Sequence, residues 1–123
     1  MEKGKILVID ENKKDADWVS GILQNEGYSI TCVYSGKEGL RKAEEERYSL
    51  VILDLELTDI KGEEVRSLLK KKKCYKKVPV LILSVKNDIE DIEGSLQRGA
   101  DDYIIKPPRS EHLLNKIEKY ASV

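Results

Sequence analysis

Hydrophobic positions along this chain come in two alternating textures. Short unbroken apolar runs, such as Ile6-Leu7-Val8-Ile9, Leu50-Val51-Ile52-Leu53 and Val80-Leu81-Ile82-Leu83, leave no residue to face water on either side, which predicts strands buried on both faces of a parallel sheet. Between them, apolar residues recur three and four positions apart, the period of a helix packed on one face. Read in order, residues 5–10 predict a first strand, and Asn12 or a neighbour caps a helix carrying Ala16, Val19, Ile22 and Leu23 until Gly27 ends it. Residues 29–34 predict a second strand. After Ser35-Gly36, residues 37–47 form a charged helix whose apolar stripe is only Leu40 and Ala43, so it lies at the surface. A third strand over 50–55 leads through a loop closed by Gly62 to a helix marked by Val65, Leu68 and Leu69, running into Lys70, Lys71, Lys72 and Lys73. Residues 78–85 predict a fourth strand with Pro79 at its entrance, where a missing N–H is tolerated. Asp88 opens a helix with Ile89, Ile92 and Leu96, ended by Gly99-Ala100; Tyr103-Ile104-Ile105 is a fifth strand, and Ser110 opens a last helix with Leu113, Leu114, Ile117, Tyr120 and Ala121.

Five β-α units in regular alternation, joined by right-handed crossovers, make a doubly wound α/β fold the simplest architecture: a five-stranded parallel sheet in flavodoxin-like 2-1-3-4-5 order with five helices. The 123 residues form one domain, 1–123, with no repeat or linker. Composition narrows the setting. No apolar run approaches the roughly 20 residues of a membrane span, and the apolar start is too short for a signal peptide, so a cytoplasmic location is expected. Cys32 and Cys74 lack metal-ligand spacing and read as free thiols. With 22 basic and 23 acidic side chains the net charge is −1, which argues against nucleic acid or a membrane as direct partner. The lysines at 70–73, with Lys76 and Lys77, are the one charge block; a solvated helix end favoured by the helix dipole explains it, with an acidic partner as the alternative.

Candidate chemistry gathers at one rim. The first strand ends in Asp10-Glu11, the third in Asp54, the fourth in Ser84 and the fifth in Lys106. Parallel strands all point the same way, so these side chains converge at the edge where open α/β sheets bind ligands. Three carboxylates there repel one another: at about 4 Å and an effective dielectric of about 20, each pair costs on the order of 4 kcal/mol. A hard cation relieves this, and Mg2+ suits a few carboxylates plus water. A carboxylate nucleophile beside Mg2+, with an ammonium and a hydroxyl opposite, suits phosphoryl transfer to that carboxylate.

The chain resembles the receiver domains of response regulators in two-component signalling. The resemblance rests on the acidic pair Asp10-Glu11, the strand ending Val51-Ile52-Leu53-Asp54, Gly62, Ser84, Tyr103 and Lys106-Pro107, and it covers essentially the whole chain. It implies a phosphorylation-dependent switch that accepts and loses a phosphoryl group rather than turning over a substrate. By this resemblance Asp54 takes the phosphoryl group from a sensor histidine kinase or a histidine phosphotransfer protein. Asp10, Glu11, Asp54 and the backbone carbonyl of Glu56 hold Mg2+, Ser84 and Lys106 grip the phosphoryl oxygens, and the Lys106–Pro107 bond is cis. Ser84 and Tyr103 act as the switch pair, reshaping the face of the fourth helix, fifth strand and fifth helix for a downstream protein or an attached output domain, in a monomer or weak homodimer. Four residues depart from the family pattern: Glu11 stands for an aspartate, Thr58 for a common proline, Ser84 for a threonine and Val85 for a smaller residue. Glu56 and Lys86 flank the pocket and are expected to pair across it, shielding the phosphoryl group from water. Two other functions compete. One is a receiver-like interaction module that works without phosphorylation; the other is a haloacid-dehalogenase-type phosphatase, suggested by Asp54-Leu55-Glu56.

Overall fold

The computed structural model describes residues 3–121. Within them, β1 (Lys5–Ile9), β2 (Ser29–Val33), β3 (Leu50–Leu53), β4 (Val80–Ser84) and β5 (Asp102–Ile105) alternate with α1 (Lys13–Asn25), α2 (Gly36–Glu45), α3 (Gly62–Lys71), α4 (Ile89–Gln97) and α5 (Ser110–Ala121). Every strand pairing is parallel and the order is β2-β1-β3-β4-β5. The doubly wound 2-1-3-4-5 fold expected from the pattern is the fold the chain adopts.

The unbroken apolar runs are explained by the two cores. Leu7, Ile9, Val51, Leu53, Val80 and Ile82 point to one face, where α2, α3 and α4 lie, and meet Val65, Leu69 and Tyr75. Ile6, Val8, Leu50, Ile52, Leu81 and Leu83 point to the other and meet Val19, Leu23, Leu113 and Ile117 of α1 and α5. Alternate residues of one strand thus serve opposite layers, so neither parity is left for polar side chains.

The differences from the expected elements have local causes. β3 stops at Leu53 and β4 begins at Val80, which leaves Asp54 just beyond one strand and Val78-Pro79 in a connection. α3 ends at Lys71 and gives way to a 3-10 turn, Lys73–Tyr75, because Tyr75 is fully buried and its hydroxyl donates to the carbonyl oxygens of Ala43 and Glu46, each at 2.9 Å. On α3 Val65 and Leu69 are buried as expected and Arg66, paired with Glu63, is buried beside them, whereas Leu68 is exposed. On α4 the expected stripe is largely in solvent: Ile89 is 71% exposed and Leu96 40%, while Ser95 is buried. Gly99, at φ 119°, turns the chain from α4 toward β5 in a conformation that other residues adopt at a cost. The lysine block ends α3 as expected, with Lys72 on Glu44 at 2.7 Å and Lys70 on Asp101 at 3.4 Å. Both cysteines are free thiols. Among the described residues no helix is long and apolar enough to cross a membrane.

Candidate functional site

Backbone hydrogen bonds one residue past the strand ends set the site. The Asp10 amide donates to the Val33 carbonyl at 3.1 Å, the Asp54 amide to that of Ile9 at 3.0 Å, and the Lys106 amide to that of Ser84 at 2.8 Å. Each bond extends a β ladder by one step, so Asp10, Asp54 and Lys106 leave adjacent strands at the same height. Gly62 completes the placement. A Cβ there would sit 2.6 Å from the Asp54 carbonyl oxygen and 2.5 Å from the Leu55 Cα, so the absence of a side chain lets α3 start directly under the Asp54–Leu55 backbone.

Lys106 is the hub. Its Nζ donates to Asp10 Oδ2 at 2.8 Å, Asp54 Oδ2 at 2.8 Å and Asp15 Oδ2 at 3.0 Å, which uses all three ammonium protons. The remaining oxygens of the two buried acids are also engaged: Asp10 Oδ1 accepts from the Asn12 amide at 2.9 Å and Asp54 Oδ1 from the Glu56 amide at 3.0 Å. Burial opposes the charge of Lys106, yet the Asp10, Asp54 and Asp15 carboxylates outweigh it and hold its pKa well above the ordinary lysine value. Burial pushes the Asp10 carboxyl up to about 6; Lys106 and the Asn12 amide pull against this without cancelling it, and Asp54 adds to the rise. Three acids around one ammonium leave a deficit of positive charge.

The other expected site residues line up around this hub. Ser84 is fully buried, and its Oγ accepts from the Lys86 amide at 3.2 Å. Tyr103 is turned inward, its hydroxyl donating to the Lys86 carbonyl at 2.7 Å. The Lys106–Pro107 bond is cis. An open depression of about 360 Å3 exposes the centre, bordered by Glu11, Asp15, Asp54, Glu56, Val85 and Lys106. Two expected contacts are not formed among the described residues. Glu56 and Lys86 form no ion pair among the described residues; both lie exposed, where such a pair contributes little, and it is the Lys86 backbone that is engaged. Glu11 does not join Asp10 and Asp54, because its Oε1 accepts from the Thr58 amide and from Thr58 Oγ, the latter at 2.6 Å. Accordingly, no three His, Cys, Asp or Glu side chains among the described residues are gathered as a metal centre. The donor chemistry still suits a hard cation: Asp10 and Asp54 converge on one point, occupied by the Lys106 ammonium, and Glu11 stands next to Asp10 in the chain.

Two contributors were absent from the sequence expectations. Asp15 reaches Lys106 from the first turn of α1; its place just after the Asn12 cap suggests only a helix-end acid, since the approach of α1 to the rim is a tertiary matter. Asp59 accepts from the Gly36 and Lys37 amides, each at 2.9 Å, tying the β3–α3 loop to the start of α2.

Fold and rim together define a class: a doubly wound α/β domain with an acidic pocket and a lysine at the carboxyl ends of its strands. The chain belongs to the response regulator receiver domain family, whose model matches residues 6–118. It is 41% identical over 117 residues, 95% of its length, to the uncharacterized transcriptional regulatory protein YkoG of Bacillus subtilis (strain 168), and 36% identical over 113 residues, 92% of its length, to the response regulator ArlR of Staphylococcus aureus. The chain spans about half the length of these relatives, 50% of each. Among solved structures, the BeF3-activated DrrB receiver domain superposes with a TM-score of 0.89 at 30% identity, each chain covered in full. Receiver domains are phosphorylation-dependent signalling switches that generally bind Mg2+ at the phosphorylation site and interact with histidine kinases and output domains.

Proposed function

We propose that Asp54 is the phosphoryl acceptor of this receiver and that Asp10, Asp15 and Lys106 set its charge. The observation that carries this is the Lys106 ammonium held 2.8 Å from both Asp10 and Asp54 inside the rim pocket. An Asp54 carboxylate oxygen attacks the phosphorus of a phosphohistidine on a sensor kinase or phosphotransfer protein. The P–N bond breaks, its electron pair goes to the imidazole, and Asp54 carries an acyl phosphate. The Glu56 amide and Lys106 hold the two Asp54 oxygens in place, which fixes the nucleophile before the donor arrives. Lys106 then offsets charge on the phosphoryl oxygens, and Ser84, one peptide from the pocket mouth, supplies a hydroxyl donor on turning outward. Asp10, Glu11, Asp54 and the Glu56 carbonyl are the oxygen donors that would hold Mg2+, which when bound neutralises phosphoryl charge during the transfer.

The surface for a downstream protein or an attached output domain lies on α4, β5 and α5. Ile89 and Leu96 of α4 and Ile105 of β5 are exposed there, apolar side chains suited to partner contact. His112 is exposed on the same side. A phosphorylation-independent interaction module is the competing function, favoured by the engaged state of Glu11. Intact-mass measurement after incubation with Mg2+ and acetyl phosphate separates the two. The expected result is a single phosphoryl adduct, alkali-labile, and absent from Asp54→Asn. No adduct, despite Mg2+ binding, establishes the silent module instead.

A further inference from the structure

Glu11 and Thr58 are two of the positions at which the pocket departs from the receiver pattern, and the structure joins them. One Glu11 oxygen takes both donors that residue 58 offers, the amide N–H and the hydroxyl at 2.6 Å. Proline at 58 would supply neither donor, and aspartate at 11 would be one methylene shorter. The loop bearing Thr58 is fixed from its other end as well. Asp59 takes the two first amides of α2, and the Gly62 amide donates to the Leu55 carbonyl at 3.2 Å. Thr58 therefore presents its donors from an anchored loop, and Glu11 spans 47 residues of sequence to reach it.

We propose that the Glu11–Thr58 contact is a latch that withholds the Glu11 carboxylate from the cation site in the resting state, so that Mg2+ binds only as the latch opens. This rests on the proposal that the Asp54 pocket takes Mg2+. Binding is thereby coupled to the β3–α3 loop: the free energy of the two hydrogen bonds is subtracted from that of metal binding, and Thr58 regains freedom when the cation captures Glu11. Thr58 is a positioning residue in this scheme, acting through Glu11.

The test is Mg2+ affinity by calorimetry, with quenching of Trp18, the single tryptophan, as a second signal beside Asp15 and Lys106. Glu11→Asp and Thr58→Pro should each tighten binding about tenfold, the amount expected for hydrogen bonds to a charged group, and the double variant should bind no tighter than either. Thr58→Val keeps the amide donor and the backbone, so it should give a smaller gain in the Glu11 chain and none in the Glu11→Asp chain. In metal-free protein the Thr58 amide should exchange slowly, and faster in Glu11→Asp. Equal Mg2+ affinity in all variants, or gains that multiply in the double variant, refutes the latch and leaves the pocket intact. Absence of binding in every variant at millimolar Mg2+ removes the metal site itself, and the latch with it.

Discussion

One ammonium among three carboxylates is an unstable balance, and Asp10 carries the imbalance. Its carboxyl, pushed up to about 6 from an ordinary 3.8, binds a proton in the folded chain that the unfolded chain has already released. Between about pH 4 and pH 6 the folded state therefore holds more protons, and stability falls as pH rises through that window. A shift of about two units corresponds to about 3 kcal/mol at most. The acids Asp102 and Glu63 act in the opposite sense: against burial, Lys116 and Arg98 hold them below their ordinary values, so they lose their contribution as pH falls below about 4. Comparing wild type with Asp10→Asn cancels these shared terms. In chelator-treated protein, urea unfolding should show the variant gaining on wild type by about 2 kcal/mol more at about pH 7.5 than at about pH 4.5. An equal difference at both pH values would mean that Asp10 is fully compensated by Lys106. Lys106 and Asp54 were legible in the sequence because a residue that follows a buried parallel strand must stand at the rim. Asp15 was not, since no local pattern says how closely α1 approaches Lys106.

At the scale of elements, α4 rests on the packing of Ile92 and on a cluster of polar contacts. Its apolar positions Ile89 and Leu96 are exposed, whereas Ser95 is buried and donates to Glu63 Oε2 at 2.9 Å. Arg98, just past the helix, donates to the same oxygen at 2.7 and 3.0 Å, and Arg66 reaches the other Glu63 oxygen at 3.1 Å. Helical periodicity located α4 and its inward position Ile92, but not the exposure of Ile89 and Leu96 or the burial of Ser95, because spacing cannot show which polar side chain will find a partner on α3. The same limit explains the exchange of Leu68 for Arg66 on α3. Strand positions were legible to within a residue or two, since burial on both faces leaves an unmistakable run. Glu63→Ala should thus release α4 selectively. Amide exchange over residues 89–97 should accelerate severalfold while β1 and β3 keep their protection, with a global loss of about 1 kcal/mol for a partly exposed cluster. Uniform acceleration throughout the chain would show that Glu63 supports the whole domain rather than this helix.

For the whole molecule, the question is how the proposed phosphorylation of Asp54 would be felt on the α4–β5–α5 face, and the Lys86 backbone offers a direct path. The Lys86 N–H points to Ser84 Oγ at 3.2 Å and the Lys86 carbonyl accepts the Tyr103 hydroxyl at 2.7 Å, so two successive peptide planes hinged at the Lys86 Cα separate the Ser84 hydroxyl from the buried ring. In the proposed switch Ser84 turns to a phosphoryl oxygen, and the Lys86 amide loses its acceptor. With its amide end released, the Lys86 backbone is free to change φ and ψ, which turns the carbonyl from Tyr103. Both the aromatic position and the start of α4 are biased by the same event, which is what a population shift between two arrangements requires. The expected ion pair of Lys86 with Glu56 would have placed the coupling in a side chain; the structure places the contacts of residue 86 in its backbone, which predicts that Lys86→Ala signals normally. Tyr103→Phe removes the hydroxyl anchor and keeps the ring. It should leave the yield of Asp54 phosphorylation near that of wild type while raising amide exchange at residues 86–97 before any phosphodonor is added. Phosphorylation should then change exchange in that segment by less than half the wild-type response, because the resting arrangement has already been released. If the variant shows the full wild-type response, the signal reaches α4 by a route that bypasses Tyr103, and the Glu63 cluster at the C-terminal end of the helix becomes the element to vary next.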